Sequence, residues 1–297
     1  MAEITIGIVT YNRLELTKRC LESLWSKTDM PFYLIIADNC SSDGTQDYLK
    51  SQYASGKIDR LILLDKNYGV ATASNVIWEL VQTPYYLKLD NDIEVLKENW
   101  LSEMVEICKQ NNNQLFIAYS FLKQLYNINY PTGILPSGHQ VQIPEANMGG
   151  ACMLIHRSIQ EQLGFWCEDY SPYGEEDTDY CLRARLAEIP FFYMHETDRL
   201  KHLYCHASES HDSTAYRDFK NTQRKKHTRE NGLFYNNLLM YQYELRSLKM
   251  KRKFTSCFKN EYECALQLNR EYSHEFSLAV KKLELIKNKI PAERMPL

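Results

Sequence analysis

Short apolar runs alternate with longer amphipathic stretches over the first third of the chain. "ITIGIV" (4–9), "FYLIIA" (32–37), "RLILL" (60–64) and "YYLKL" (85–89) have strand length and are rich in aliphatic, mostly β-branched, or aromatic residues. Between them, "LTKRCLESLW" (16–25) places Leu16, Cys20, Leu21, Leu24 and Trp25 on one helical face. Residues 45–54 and 70–82 read as two further helices. Such alternation predicts βαβ units, and so an α/β fold with a mostly parallel central sheet flanked by helices. The pattern then changes. "NNNQ", "YPTG" and "LPSGHQ" punctuate residues 111–150, after which "ACMLI" (151–155) reads as a strand and 157–163 as a helix. A helix opens near Glu176, and "PFFYM" (190–194) and "RLKH" (199–202) read as strands. From about residue 214 the chain reads as mainly helical and polar.

Composition narrows the class. The chain has 297 residues, of which 44% are apolar, enough for a sizeable core. No apolar run approaches the ~18 residues of a membrane span. The start, "MAEITIGIVTYNR", lacks the basic and apolar regions of a signal peptide. Nine scattered cysteines, an odd number without a C-x-x-C pair, read as reduced thiols of a cytoplasmic protein rather than a zinc site or disulfide framework. The net charge of −3 is unevenly spread: residues 1–216 carry 17 Lys and Arg against 29 Asp and Glu, residues 217–297 carry 18 against 9. An acidic body with a basic tail bears on partners.

Polar clusters follow each of the first four strands, where open α/β sheets collect ligands. They are "TYNR" (10–13), "DNCSSDGT" (38–45), "NYGVATASN" (67–75) and "DND" (90–92). Asn67 and Gly69 precede a helix whose free amides attract phosphate or sugar oxygens. Neither a G-x-G-x-x-G nor a G-x-x-x-x-G-K-[ST] loop is present, which argues against dinucleotide and P-loop readings. Asp90 and Asp92 at a strand exit suit an oxygen-preferring cation, Mn²⁺ or Mg²⁺, bridging protein and diphosphate. Glu175, Glu176, Asp177 and Asp179 crowd a helix start. The macrodipole accounts for some acidity there, but four carboxylates in five positions also raise pKa values toward those of a useful base.

In order and spacing, "TYNR", "DNCSSDGT", "NYGVATASN", "LDND", "GGACMLIHR" and "YGEEDTDYCLRAR" resemble family 2 glycosyltransferases of the GT-A fold over about residues 4–232. The resemblance implies an inverting enzyme that moves a sugar from a nucleotide-linked donor, commonly UDP-linked, to a glycan, lipid-linked or other acceptor hydroxyl. It implies a glycosyltransferase domain over 1–232; residues 233–297, outside the resemblance, read as a basic helical C-terminal extension. Thr10, Tyr11 and Arg13 would surround the nucleotide, and Asp38 would accept a hydrogen bond from the base. Asn67, Gly69, Asn75, Gly149 and Gly150 would lie along the diphosphate or donor sugar. Asp90 would contact ribose or metal, Asp92 would bind the metal, and His202 or His206 would join it. Asp177 would be the general base, with Glu176 contacting sugar or acceptor. Trp166, Tyr170 and Tyr173 would stack on the acceptor side.

One departure from the family pattern is Ser74, where many relatives carry Arg; Lys66 or Arg13 would supply that charge. Other classes fit less well. A haloacid-dehalogenase-type phosphatase needs Thr or Val where Glu94 stands, and a sugar nucleotidyltransferase needs an N-terminal Gly-rich loop. A non-catalytic nucleotide-sugar or glycan-binding domain remains an alternative. In the tail, "RSLKMKRK" (246–253) holds five basic residues in eight and suggests peripheral membrane contact, at the inner face, or a homodimer.

Overall fold

The computed structural model describes residues 2–203, 214–228 and 232–288. The expected alternation is present. Strands β1 (Ile4–Thr10), β2 (Phe32–Asp38), β3 (Arg60–Leu64) and β4 (Tyr85–Asp90) alternate with helices α1 (Leu14–Lys27), α2 (Thr45–Ala54) and α3 (Val70–Leu80). They form the parallel core of the sheet in the order β3-β2-β1-β4. Next come β5 (Ile93–Val95), α4 (Trp100–Gln110), β6 (Phe116–Ala118), α5 (Leu122–Tyr126), β7 (Thr132–Ile134) and β8 (Gln140–Gln142). They are followed by β9 (Cys152–His156), α6 (Arg157–Leu163), α7 (Glu176–Leu186), β10 (Phe191–Met194) and β11 (Leu200–His202). β9 pairs antiparallel with both β4 and β6, extending the sheet past the core, and β11 pairs only with β5.

The pleat sorts β1 between two layers. Ile4, Ile6 and Ile8 pack with Leu21, Leu24 and Met104 on one face. Gly7 points to the other, where a Cβ would come within 2.6 Å of the Tyr86 ring and 2.8 Å of Ile77. That second layer joins α3 to α7 through Trp78, Trp166 and Tyr180.

The C-terminal region is mainly helical, as expected, with one addition. α8 (Thr214–Thr228), α9 (Leu233–Gln242) and α10 (Arg270–Lys287) are helical, but β12 (Phe254–Phe258) and β13 (Glu263–Leu268) form a hairpin. β13 lies parallel to β3 and extends the central sheet. "FTSCF" and "ECALQL" are short and partly exposed, β12 at the sheet edge and β13 between it and β3, and they sit in a tail whose polar, helix-like stretches mask them.

The polybasic stretch is also corrected. Arg246 pairs with Asp169 (2.7 Å), Lys253 with Asp169 (3.0 Å), Arg252 with Glu168 (2.6 Å) and Lys251 with Glu275 (2.7 Å). Four of its five cations are thus engaged in ion pairs, and they do not form a free basic face. Among the described residues no helix is long and apolar enough to cross a membrane.

Glu168 is fully buried, and it accepts from Asn75, Arg252 and the backbone amides of Lys253 and Phe254. Burial raises its pKa against the lowering effect of Arg252. Replacing Arg252 leaves that carboxylate uncompensated, so Arg252→Met should cost about 3–5 kcal/mol in urea unfolding.

Candidate active site

Strand register gathers the polar clusters. Thr10 lies opposite Asp38, and Val9 opposite Asp90, so three strand ends finish on one edge. The Asp90 amide donates to the Ala151 carbonyl (2.8 Å), which draws in Gly149 and Gly150. β11 sets His202 opposite Ile93, and the Leu203 amide donates to the Asp92 carbonyl (2.8 Å). The result is a cleft of about 780 Å³. Tyr11, Arg13, Asn67, Gly69, Asp90 and Asp92 line one part of it. Gly149, Gly150, Tyr173, Glu176, Asp177 and His202, also expected, line the rest.

Arg13 sits in the left-handed region (φ 67°) at the turn into α1 and reaches the Asp92 Oδ2 at 3.1 Å. The Asp92 Oδ1 is buried and has no hydrogen-bond partner, and the His202 Nε2 lies 3.9 Å from it. A buried carboxylate oxygen left unsatisfied is costly unless something binds it. One carboxylate and one imidazole facing a common point fit a divalent ion that takes its remaining ligands from phosphate and water. Among the described residues no group of three or more His, Cys, Asp or Glu side chains is arranged to hold a metal ion. His206 lies outside the described residues.

Asp90 is engaged differently. The Lys88 ammonium donates to it (2.7 Å) and to the Gly150 carbonyl (2.6 Å). Burial opposes the charge on Lys88, but Asp90, Glu176 and Asp177 outweigh it and hold the ammonium above its ordinary range. Lys88 was not singled out from the sequence. Its signal is a lysine inside an apolar strand.

The helix α7 begins after Glu175 in the left-handed region (φ 67°), which turns its first residues into the cleft. The Asp177 Oδ2 accepts from the Gly150 amide (3.0 Å), and its Oδ1 from the Thr178 amide (2.8 Å). A Cβ on Gly150 would meet the Asp177 Cβ at 3.3 Å and the Lys88 Nζ at 3.4 Å, whereas Gly149 faces open space. Burial first, then the Asp177 charge, push the Glu176 carboxyl up to about 7. Its folded pKa lies above its unfolded value near 4.5, so the folded state binds the extra proton. Stability from this group is greatest below the unfolded value and falls as pH rises toward 7. Glu176→Gln should therefore gain melting temperature over the parent progressively between pH 5 and 8, followed by thermal unfolding at matched pH.

Several expected residues are not brought to the cleft. Asp38 is fully buried and accepts from Thr10 Oγ1 (2.7 Å), Ser41 N (2.8 Å) and Gln46 Nε2 (2.8 Å), so both oxygens organise the loop. Thr10 is consumed in the same network. Asn39 lines the cleft instead, bridging the Tyr68 amide and the Gly69 carbonyl. Asn75 is buried and bonds the backbone of Trp166 and the Glu168 carboxylate. Trp166 and Tyr170 are buried too, the former against Trp78 and Tyr180, and neither can stack on a sugar. Asp179 leaves the acidic cluster to pair with Arg183 (2.7 Å) and accept from Tyr241. Gly69 (φ 87°) is fixed by packing, since a Cβ there would lie 2.5 Å from the Pro172 carbonyl.

Residues 5–163 match the family described as "Glycosyl transferase family 2", more than half of the chain. The chain belongs to glycosyl transferase family 2. Within that family it is 36% identical over 96 residues to the teichoic acid poly(glycerol phosphate) polymerase of Staphylococcus epidermidis, covering 32% of this chain and 13% of that protein. The chain thus spans a small part of this curated relative. Solved structures share the fold. TarS of S. aureus, in complex with UDP-GlcNAc, aligns with a TM-score of 0.52 at 15% identity, covering 72% of this chain and 62% of that one. The mannosyltransferase PcManGT of Pyrobaculum calidifontis, in complex with GDP-Man and Mn²⁺, aligns with a TM-score of 0.51 at 15% identity, covering 66% and 55%.

Proposed function

We propose that this family 2 glycosyltransferase moves a sugar from a nucleotide-linked donor, UDP-linked foremost, to an acceptor hydroxyl with inversion, in glycan or polysaccharide assembly. One observation carries the reading. Asp92, with its unpartnered buried oxygen, and Asp177, held against Gly150, open into the same cleft. The UDP-GlcNAc and GDP-Man complexes of the two structural neighbours support a nucleotide-sugar donor.

The residues divide the work. Arg13, Asn67 and the open backbone at Gly149 receive the donor. Asp92 and His202 would hold a Mn²⁺ or Mg²⁺ ion, which when bound supplies Lewis-acid shielding of charge on the diphosphate. Asp177 takes the proton from the acceptor hydroxyl as the oxygen attacks the anomeric carbon. The bond from that carbon to the diphosphate oxygen breaks, and its electron pair leaves with the nucleoside diphosphate. Glu176, its carboxyl raised so that a share stays protonated near neutrality, donates a hydrogen bond in that form to the sugar or the acceptor. Lys88 keeps Asp90 and the Gly150 turn in place.

The test needs no known acceptor, because water can accept slowly. The purified chain with Mn²⁺ is incubated with a panel of UDP- and GDP-sugars and nucleotide release is followed. Release from one or a few UDP-sugars, stopped by EDTA, is expected. A chain that neither binds nor hydrolyses any of them would refute the assignment.

A further inference from the structure

The helix α8 contributes Lys220, Asn221 and Arg224 to the lining of the cleft. Lys220 and Arg224 are four apart and so share a helical face. Their neighbours locate them. The Lys220 ammonium stands 5.2 Å from the centre of the Tyr173 ring. The Arg224 Cγ lies 3.1 Å from where a Cβ on Gly174 would be, and its Nε lies 3.9 Å from the Glu175 carboxylate. Tyr173, Gly174 and Glu175 immediately precede Glu176 and Asp177. Both cations therefore border the part of the cleft where the incoming hydroxyl must lie.

We propose that Lys220 and Arg224 select an acceptor bearing an anionic group, a phosphodiester or a carboxylate, close to the hydroxyl that is glycosylated. The proposal rests on the transferase reading and names its acceptor class. The acceptor side otherwise presents Glu175, Glu176 and Asp177. Glu175 and Asp177 would repel an anionic acceptor, and a neutral one needs no cations at the entrance. Glu175 alone does not account for Arg224, whose side chain is 64% exposed. A pair at 3.9 Å in water is weak, and a guanidinium offers five donors in a fork that fits phosphate and carboxylate.

The experiment uses the full chain saturated with UDP and Mn²⁺. Three probes of matched length are titrated at low salt: an oligo(glycerol phosphate), an oligogalacturonate and a neutral malto-oligosaccharide. At least one anionic probe should bind about tenfold or more tightly than the neutral one, as charge-assisted hydrogen bonds require. The stronger of the two anionic probes identifies phosphate or carboxylate as the group read. The double variant Lys220→Ala/Arg224→Ala should lose the preference with UDP affinity retained, and Lys225→Ala, outside the lining, should keep it. Equal binding of all three probes overturns the proposal. So does a double variant that loses UDP affinity instead, because the cations then serve the donor diphosphate. A parent chain that takes up no UDP defeats the transferase reading itself, and this proposal with it.

Discussion

Asp177→Asn should lower the turnover of donor and acceptor by about 10²–10⁴-fold, the usual contribution of a positioned general base. The fold should survive at the cost of one hydrogen bond, because an asparagine oxygen can still accept from the Gly150 amide (3.0 Å) while the Thr178 amide loses its acceptor. What disappears is the basicity. The loss should therefore fall on kcat, with the KM for the nucleotide donor little changed, since an interaction made only during proton transfer does not contribute to ground-state binding. Glu176 does not replace the missing base. Its carboxyl is raised to about 7 by burial and by the Asp177 charge, and removing that charge lowers it toward the ordinary range. Because Glu176 acts in its protonated form, a pH profile would register this as a shift of the alkaline limb to lower pH in the variant. Retained turnover in Asp177→Asn would transfer the base role to another carboxylate in the cleft.

Asp92→Ala should be the second severe change, but with a different signature. The variant removes the carboxylate whose buried Oδ1 lacks a partner and whose Oδ2 meets Arg13 at 3.1 Å. Without it, His202 alone is too little protein ligation for a hard divalent cation. Loss of several kcal/mol of charge stabilisation corresponds to a rate reduction on the order of 10³-fold. Donor affinity in the presence of Mn²⁺ should fall too, which separates this variant from Asp177→Asn. EDTA applied to the parent chain should reproduce the effect, and EDTA applied to Asp92→Ala should add nothing.

Much of this site can be read from the sequence because strand ends in an open sheet are fixed by register. Once "ITIGIV", "FYLIIA" and "YYLKL" are strands of one parallel sheet, the residues after them must share an edge. That is why Arg13 and Asp92 meet although they are far apart in the chain; Gly150, just before the antiparallel β9, and Asp177, on α7, join them through the Gly150 amide. What failed has a different cause. Asp38, Asn75 and Trp166 have side chains suited to ligand binding, but whether they face the cleft or the core depends on packing. Asn75 is claimed by Trp166 and Glu168, and Asp38 by its own loop. The hairpin of β12 and β13 escaped because both strands are short, half in water and set between helix-like polar stretches. The basic run at 246–253 misled because charge is visible in sequence and its buried partners, Glu168 and Asp169, are distant in it. Lys88 was visible all along as a charge inside an apolar strand, and only the structure gives it Asp90 and Gly150.

The central claim is that one cleft joins a cation-binding carboxylate to a separate base. Thermal unfolding with UDP and Mn²⁺ tests it most directly, because a ligand at 100 times its dissociation constant stabilises by about 2.7 kcal/mol. The parent chain and Asp177→Asn should show the same rise in melting temperature, cancelled by EDTA, and Asp92→Ala should show none. An undiminished rise in Asp92→Ala would contradict the account.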